Sequence, residues 1–265
     1  MPAVRAPHAP AVHIVLDTNA LFTQHEAKLL AEELSGFITA HANNIGLKAT
    51  YYIPQIVKLE RQAQMYGRAM QLVPNLRKIE QLLGHNLNIT GEIIKSRVDG
   101  VIAQEITRHG LVEMDLDYGA VDWPSVANSA AHRIPPFSPG DTEKGFKDVL
   151  VAEAFFQLAK TLPRSPSHAR IALLTGDAIL GDAVRERSKS WSNVQVISDL
   201  ASLRTMMTAL ASHLSDEAVN DILPRAKKLF FSAGDEAALY HKWGIPNLLV
   251  KDGRLLAFSN SGVFN

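Results

Sequence analysis

Cysteine is absent from this chain of 265 residues. Disulfide bonds, zinc–thiolate sites and catalysis by a thiol are therefore excluded. A reducing compartment suits such a sequence, and we expect a cytoplasmic protein. The sequence also lacks any apolar run of about 18 residues, so it predicts no transmembrane helix and no membrane partner.

An excess of charge of either sign is lacking as well. The chain has 27 Lys and Arg residues against 27 Asp and Glu residues, which gives a formal net charge of zero. This balance argues against a protein that binds nucleic acid by overall positive charge, but it allows a local basic groove. Hydrophobic residues make up 46% and charged residues 20% of the chain, as in ordinary globular proteins. A chain of this length can form one large domain, or one domain with an appendage.

Alternating strand and helix patterns fill most of the chain. The apolar run at residues 12–16 ends abruptly in Asp17, as expected of a buried parallel strand that delivers a carboxylate to the edge where open α/β sheets bind ligands. The alternation predicts a parallel sheet with right-handed crossovers. Strands are predicted at 12–16, 51–53, 170–174 and 194–197, and helices at 24–42, 54–66, 143–161, about 178–189 and 200–214.

The predicted domain organisation has three parts. Residues 1–11 are expected to form a mobile tail, residues 12–221 the main domain, and residues 222–265 an appendage with a β-hairpin that turns at Asp252-Gly253. Within the main domain, residues 67–110 contain two series of apolar residues at helical spacing, the first of which is interrupted at Pro74. They predict an inserted helical hairpin.

The inserted hairpin and its approach carry several basic residues. Basic residues in such a pattern most often form a helix face exposed to solvent. The alternative interpretation is that they line one wall of a cleft that binds phosphate groups. Residues 111–142 are predicted to be irregular. The basic residues concerned are Arg61, Arg68, Arg77, Lys78, Lys95, Arg97 and Arg108.

Four acids fall at strand ends or in early helical turns of successive units: Asp17, Glu60, Asp148 and Asp177. Each alone could be a helix cap or a turn residue. If the four carboxylates converge, two of them about 4 Å apart repel each other by roughly 4 kcal/mol at an effective dielectric constant of about 20. A cation is then needed to keep them all ionised. Oxygen ligands without Cys favour Mg²⁺ or Mn²⁺ over zinc. Such a site can activate a water for in-line attack on a phosphate.

The segments that carry these acids resemble the four acidic motifs of PIN-domain nucleases. The matching segments are 15–21 (VLDTNAL), 53–60 (IPQIVKLE), Asp148, and 174–177 (LTGD). Residues 133–137 (RIPPF) followed by 145–148 (GFKD) resemble a bacterial PIN-like branch. The resemblance covers roughly residues 12–200.

This resemblance implies a three-layer PIN-like (Rossmann-like) parallel sheet and a metal-dependent endonuclease, with RNA as the substrate more often than DNA. The acids Asp17, Glu60, Asp148 and Asp177 would be the catalytic carboxylates that bind Mg²⁺ or Mn²⁺. Asn19 would orient Asp17, and Thr175 would support Asp177. PIN domains frequently dimerise, so a homodimer and a regulatory protein partner are further expectations.

The fourth motif offers two acids, Asp177 and Asp182. Five residues correspond to about 140° around a helix, so the two carboxylates would not point the same way if both lay in regular helix. Asp177, at the strand end, is the favoured ligand, and Asp182 is the second choice, in an outer position. Candidate phosphate contacts are Lys147, Arg185, Arg187 and Lys189.

The sequence also allows two functions other than a nuclease. The first is a non-catalytic PIN-like module that binds nucleic acid or a protein, although four unneutralised carboxylates would repel phosphate. The second is a phosphohydrolase that uses Asp17 as a nucleophile. Asn19 disfavours the second because that chemistry expects another Asp at this position.

Overall fold

An all-parallel, five-stranded sheet organises the first of two compact units, Met1–Ala211 and Ser212–Asn265. The computed structural model describes residues 10–21, 28–42, 47–139, 144–211, 224–225, 249–251 and 254–257. The strand order is β3-β2-β1-β4-β5. The strands are β1 Ala11–Leu16, β2 Ala49–Pro54, β3 Val112–Met114, β4 Ala169–Leu174 and β5 Val194–Ile197.

Strand β1 lies at the centre of the sheet. All six of its residues pair with β4, and Val12 to Val15 pair with β2. Every residue of β4 is buried, so both faces of that strand are covered. Buried faces on both sides are typical of a parallel sheet between two helical layers, which is consistent with a three-layer, Rossmann-like α/β fold.

Helices alternate with the strands, as the sequence predicted. The predicted helices that begin near 143, 178 and 200 are present: the first begins at Phe146, the second ends at Arg187, and the third is described as far as Ala211, where the described range ends. Of the helix predicted at 24–42, residues 32–42 are helical and the prediction is wrong for residues 28–31, whereas residues 22–27 lie outside the described ranges. The helices are α1 Thr18–Leu21, α2 Glu32–Ala42, α3 Gln55–Leu83, α4 Gly91–His109, α5 Trp123–Ala131, α6 Phe146–Thr161, α7 Ala178–Arg187 and α8 Leu200–Ala211.

Helix α3 is longer than predicted. The sequence suggested an end near Tyr66 and an interruption at Pro74, but one helix of 29 residues continues past both. Pro74 is exposed, so its ring can be accommodated on the solvent side of the helix. The helix ends at Gly84, which has the left-handed backbone (φ 61°) that glycine adopts at helix ends. Helices α3 and α4 pack against each other, as the predicted hairpin over 67–110 requires.

The segment predicted to be irregular, residues 111–142, contains regular structure. Strand β3 pairs with β2 at the edge of the sheet, a 3₁₀ turn covers Tyr118–Ala120, and α5 follows. The Asp122 side chain caps α5 by accepting a hydrogen bond from the Ser125 amide at 3.1 Å. Neither this helix nor the strand was predicted from the sequence, and a strand of three residues carries too little alternation to be recognised. Residues 140–143 lie outside the described ranges.

The second unit contains the predicted β-hairpin. Strands β6, Leu249–Lys251, and β7, Arg254–Ala257, pair antiparallel, whereas Asp252 and Gly253 lie outside the described residues. Residues 1–9 of the predicted tail also lie outside them, and Ala11 is the first residue of β1. Within the described ranges, no helix is both long and apolar enough to cross a membrane.

Candidate active site

Asp17 lies directly after β1 and is only 4% exposed. One carboxylate oxygen accepts a hydrogen bond from the Thr18 amide at 2.7 Å, and the other accepts one from the Thr175 hydroxyl at 2.7 Å. Burial raises the pKa of Asp17 above its usual value, and these two hydrogen bonds oppose the rise. The repulsion from Asp177 and Glu60 adds to it. The carboxylate is therefore fixed in position at the carboxyl edge of the sheet.

Thr175 joins the ends of two neighbouring strands, β1 and β4. Its hydroxyl donates to Asp17 and accepts a hydrogen bond from the Asp177 amide at 3.0 Å. The residue is 2% exposed, and its bond to Asp17 is shielded from water. The resemblance assigned Thr175 to Asp177 alone, and the structure adds its direct bond to Asp17.

Asn19 is an exposed residue of α1. The hydrogen bonds that the structure shows on Asp17 come from Thr18 and Thr175, on either side of the carboxylate. Asn19 instead lines a cavity of about 230 Å³ that also borders Gly176 and Ser198. Its role in orienting Asp17 stays a prediction.

Glu60, in the second turn of α3, makes two polar contacts within the site. It accepts a hydrogen bond from the Thr18 hydroxyl at 2.8 Å and pairs with the Lys147 ammonium at 2.6 Å. Thr18 thus contacts the first two acids, one through its amide and one through its hydroxyl. Sequence reasoning did not assign a role to Thr18, although a hydroxyl next to an acid at a helix start is a common hydrogen-bonding position.

Asp148 lies in the first turn of α6, and its carboxyl group is half-buried. The pKa of Asp148 is raised to about 6, chiefly by burial. Repulsion from Asp177, Asp17 and Glu60 contributes to this rise, and the attraction of Lys147 opposes it. Because the other three acids all act on Asp148, the four predicted carboxylates share one electrostatic environment. The structure therefore brings together acids that are as far apart in sequence as residues 17 and 177.

Asp177 is the N-cap of α7. One of its carboxylate oxygens accepts hydrogen bonds from the Ile179 and Leu180 amides at 2.8 and 2.9 Å. This cap is the ordinary structural role of an Asp at a helix start. It also holds the carboxylate near Thr175, where its charge acts on Asp17 and Asp148.

Asp182 has different surroundings. Its side chain is 71% exposed and pairs with Arg185 at 2.6 Å. It lines a separate cavity of about 630 Å³ between α5, α6 and α7, and it is not among the acids that act on Asp17 or Asp148. The geometry therefore favours Asp177 as the fourth acid of the site.

The basic residues in and just after α7 that were predicted to contact phosphate all pair with acids. Arg185 binds Asp182, and Lys189 binds Glu186 at 2.6 Å. Arg187 pairs with Glu153 and lies over the Phe156 ring at 4.2 Å. Of the four predicted phosphate contacts, Lys147 alone touches one of the four site acids, among the contacts that the structure records.

The donor chemistry of the site suits a hard divalent cation, because all four acids offer oxygen. In the part of the chain that the structure describes, however, no three His, Asp or Glu side chains lie close enough together to form a ready metal-binding group. Lys147 supplies positive charge to Glu60, whereas Asp148 has a raised pKa that an added cation would lower. The residues fit Mg²⁺ or Mn²⁺ in kind, and binding would require the carboxylates to draw closer.

Comparison with known proteins gives this chain no relative. No family model, curated protein or solved structure matches it.

Proposed function

We propose that this chain is a metal-dependent endonuclease of PIN type that hydrolyses RNA. The observation that carries the proposal is the common environment of Asp17, Glu60, Asp148 and Asp177 at the carboxyl edge of a parallel sheet. The pKa values of Asp17 and Asp148 are both raised, and acids with such shifts at the carboxyl edge of a parallel sheet are candidates for a functional site. The order of the acids along the chain supports the PIN-type assignment.

Each residue has a defined part in the proposal. The four carboxylates would hold Mg²⁺ or Mn²⁺, which would supply charge neutralisation and activate a water for attack on a phosphodiester. Thr18 and Thr175 hold the carboxylates of Glu60 and Asp17 by hydrogen bonds from their hydroxyl groups. Lys147, whose side chain is 57% exposed, can exchange its bond to Glu60 for a bond to a substrate phosphate.

A non-catalytic binding module is the alternative, and one observation favours it. Among the described residues, no three acidic or histidine side chains form a ready metal-binding group, and Lys147 already pairs with one of the four acids. A protein that never binds metal could use such a pair as a structural contact. Metal-dependent cleavage of a polymer distinguishes the two functions.

The decisive test is a cleavage assay on labelled single-stranded RNA and DNA, with Mg²⁺, Mn²⁺ or EDTA. The wild type is compared with Asp17→Asn and Asp148→Asn. We expect cleavage of RNA that requires metal and falls by more than about 100-fold in either variant, since even residues around metal ligands contribute about 10- to 100-fold. Loss of activity in both variants excludes a contaminating nuclease.

Asp182→Asn provides the matched control. It removes a carboxylate of the same chemical type, but one that is exposed and bound to Arg185. We expect it to retain cleavage activity. Activity that survives Asp17→Asn or Asp148→Asn would overturn the proposed site, and the absence of both cleavage and metal binding by calorimetry would favour the binding module.

A further inference from the structure

Two aromatic side chains lie exposed on the surface and stack on each other. The Trp123 residue is 38% exposed and Phe146 is 54% exposed. Their ring centroids are 6.4 Å apart, with an angle of 24° between the ring planes. Aromatic rings stabilise a fold or an interface most when their apolar area is buried. An exposed pair therefore has apolar area that a ligand can cover.

The Trp123 ring is held in place by its surroundings. Its indole N–H donates to the Tyr118 carbonyl at 3.0 Å. It is also the first residue of α5, and the Asp122 side chain caps that helix. The indole is therefore oriented before any ligand arrives, which lowers the entropic cost of binding.

Phe146 is the first residue of α6, and close backbone packing positions the start of that helix. The preceding residue, Gly145, has a φ of 119°, and a Cβ atom there would lie 2.5 Å from the Pro136 carbonyl. The segment that contains Pro136 is thus packed closely against the start of α6. This contact fixes where the helix begins and where its first side chain lies.

Phe146, one member of the aromatic pair, is adjacent along the chain to residues of the proposed active site. Phe146 is followed directly by Lys147 and Asp148, the first a partner of Glu60 and the second one of the four acids. Lys144 is exposed on the other side of Phe146 in the sequence. Phe146 thus stands between two lysines in the sequence, at the start of the helix that carries Asp148, and an aromatic ring near basic residues matches the chemistry of a polynucleotide.

We propose that Trp123 and Phe146 form a stacking platform for an unpaired base of single-stranded RNA, a proposal that rests on the nuclease function proposed above. Every base has a π-face, so stacking on aromatic side chains binds single strands with little dependence on sequence. In a duplex the base faces are covered by neighbouring pairs. The platform therefore makes single-stranded RNA, rather than duplex RNA, the substrate class.

The test measures binding and cleavage separately on the full chain. Binding of a fluorescent single-stranded RNA and of the same sequence as a duplex is followed by anisotropy in Ca²⁺, with a gel to confirm that the probe is intact. Cleavage is followed in Mg²⁺ and Mn²⁺. Trp123→Ala and Phe146→Leu remove an aromatic face, whereas Trp123→Phe and Phe146→Tyr retain one. Leu82→Ala is the control for loss of an exposed apolar side chain, since Leu82 is 87% exposed on α3.

We expect Trp123→Ala and Phe146→Leu each to weaken binding of single-stranded RNA about tenfold, which corresponds to about 1.4 kcal/mol. Their KM for cleavage should rise by a similar factor. Leu82→Ala should bind as the wild type does, and the aromatic replacements should lose less affinity than Trp123→Ala and Phe146→Leu, because they keep a ring face for stacking. An abasic nucleotide at the stacking position should cost about the same factor, and combining it with Trp123→Ala should add little, because both changes remove one contact.

The possible failures differ from one another. Wild-type cleavage with unchanged affinity in Trp123→Ala and Phe146→Leu would overturn the platform and leave the nuclease standing. Loss of single-strand binding in those variants of a protein that cleaves nothing would support the platform and overturn the nuclease. Equal binding of duplex and single strand, or binding of neither, would overturn the platform.

Discussion

Asp148 is the residue whose ionisation most directly reports on the site. Its pKa of about 6 in the folded chain lies above the usual Asp value, so the folded state binds a proton more tightly than the unfolded state between about pH 4 and 6. The free energy of unfolding should therefore fall as the pH rises through that range. Above pH 6 the ionised carboxylate destabilises the metal-free fold.

We predict that Asp148→Asn stabilises the metal-free protein at pH 7. The expected gain is about 1 kcal/mol once the solvent screening of this half-buried group is allowed for. Denaturant unfolding in EDTA at pH 4, 5, 6 and 7 measures the difference, which should shrink towards pH 4. A variant that is less stable than the wild type at pH 7 would show that Asp148 is not repelled by its neighbours.

Lys147 and a metal ion would compete for Glu60. The Lys147 ammonium lies 2.6 Å from a Glu60 oxygen. Lys147→Gln therefore removes a positive charge that competes with the metal ion for Glu60 and that repels the metal ion as it approaches. We predict that Mn²⁺ binding, measured by calorimetry, tightens about tenfold in this variant, or about 1.4 kcal/mol. Lys189→Gln, whose lysine pairs with Glu186 instead, should leave Mn²⁺ affinity unchanged. Equal Mn²⁺ affinity in Lys147→Gln and the wild type would mean that Glu60 binds no metal.

At the scale of secondary-structure elements, the start of α6 depends on Gly145. Because of its φ of 119° and its close approach to Pro136, we predict that Gly145→Ala lowers the free energy of unfolding by about 2 kcal/mol. Cleavage activity should also fall, because Asp148 lies three residues later. Denaturant unfolding and the RNA assay measure the two effects.

Gly100→Ala is the matched control for this element. Gly100 lies inside α4, with open space where a Cβ would go. The same substitution there should raise the free energy of unfolding by about 0.5 to 1 kcal/mol, since Ala is the better helix former. A Gly145→Ala variant as stable as Gly100→Ala would contradict the proposed packing at the start of α6.

Elements with a strong apolar pattern could be predicted from the sequence to within a residue or so. Strands β1 and β4 are such elements, because both are buried on two faces and read as continuous apolar runs. The length of helix α3 could not be predicted in this way. Gly67 and Pro74 are local signals for the end of a helix, and packing and solvent exposure override them. Strand β3 was missed because its partner, β2, holds it in the sheet, and that contact has no local signal.

At the scale of the whole molecule, the first compact unit contains the complete five-stranded sheet. We predict that a chain ending at Ala211 folds without the second unit. It should unfold in one cooperative transition, with a Tm within a few degrees of the full chain, as measured by calorimetry. A truncated chain with no cooperative transition would show that the second unit is required for folding.

The candidate site was predictable in its acids but not in its contacts. Strand ends and early helical turns identified Asp17, Glu60, Asp148 and Asp177, because parallel strands deliver these positions to one edge. The bonds from Thr18 and Lys147 to Glu60 join residues 42 and 87 positions apart. Such contacts depend on how α1, α3 and α6 meet, which periodicity within each element does not determine.

The central position of β1 has a consequence for hydrogen exchange. Its amides are hydrogen-bonded within a sheet that continues on both sides, so they should exchange with deuterium only when the whole unit unfolds. The exposed end of α3 makes few buried contacts and should exchange through local opening. Asp17 is thus attached to the slowest-exchanging part of the chain, whereas Glu60 belongs to a helix whose far end opens far more often.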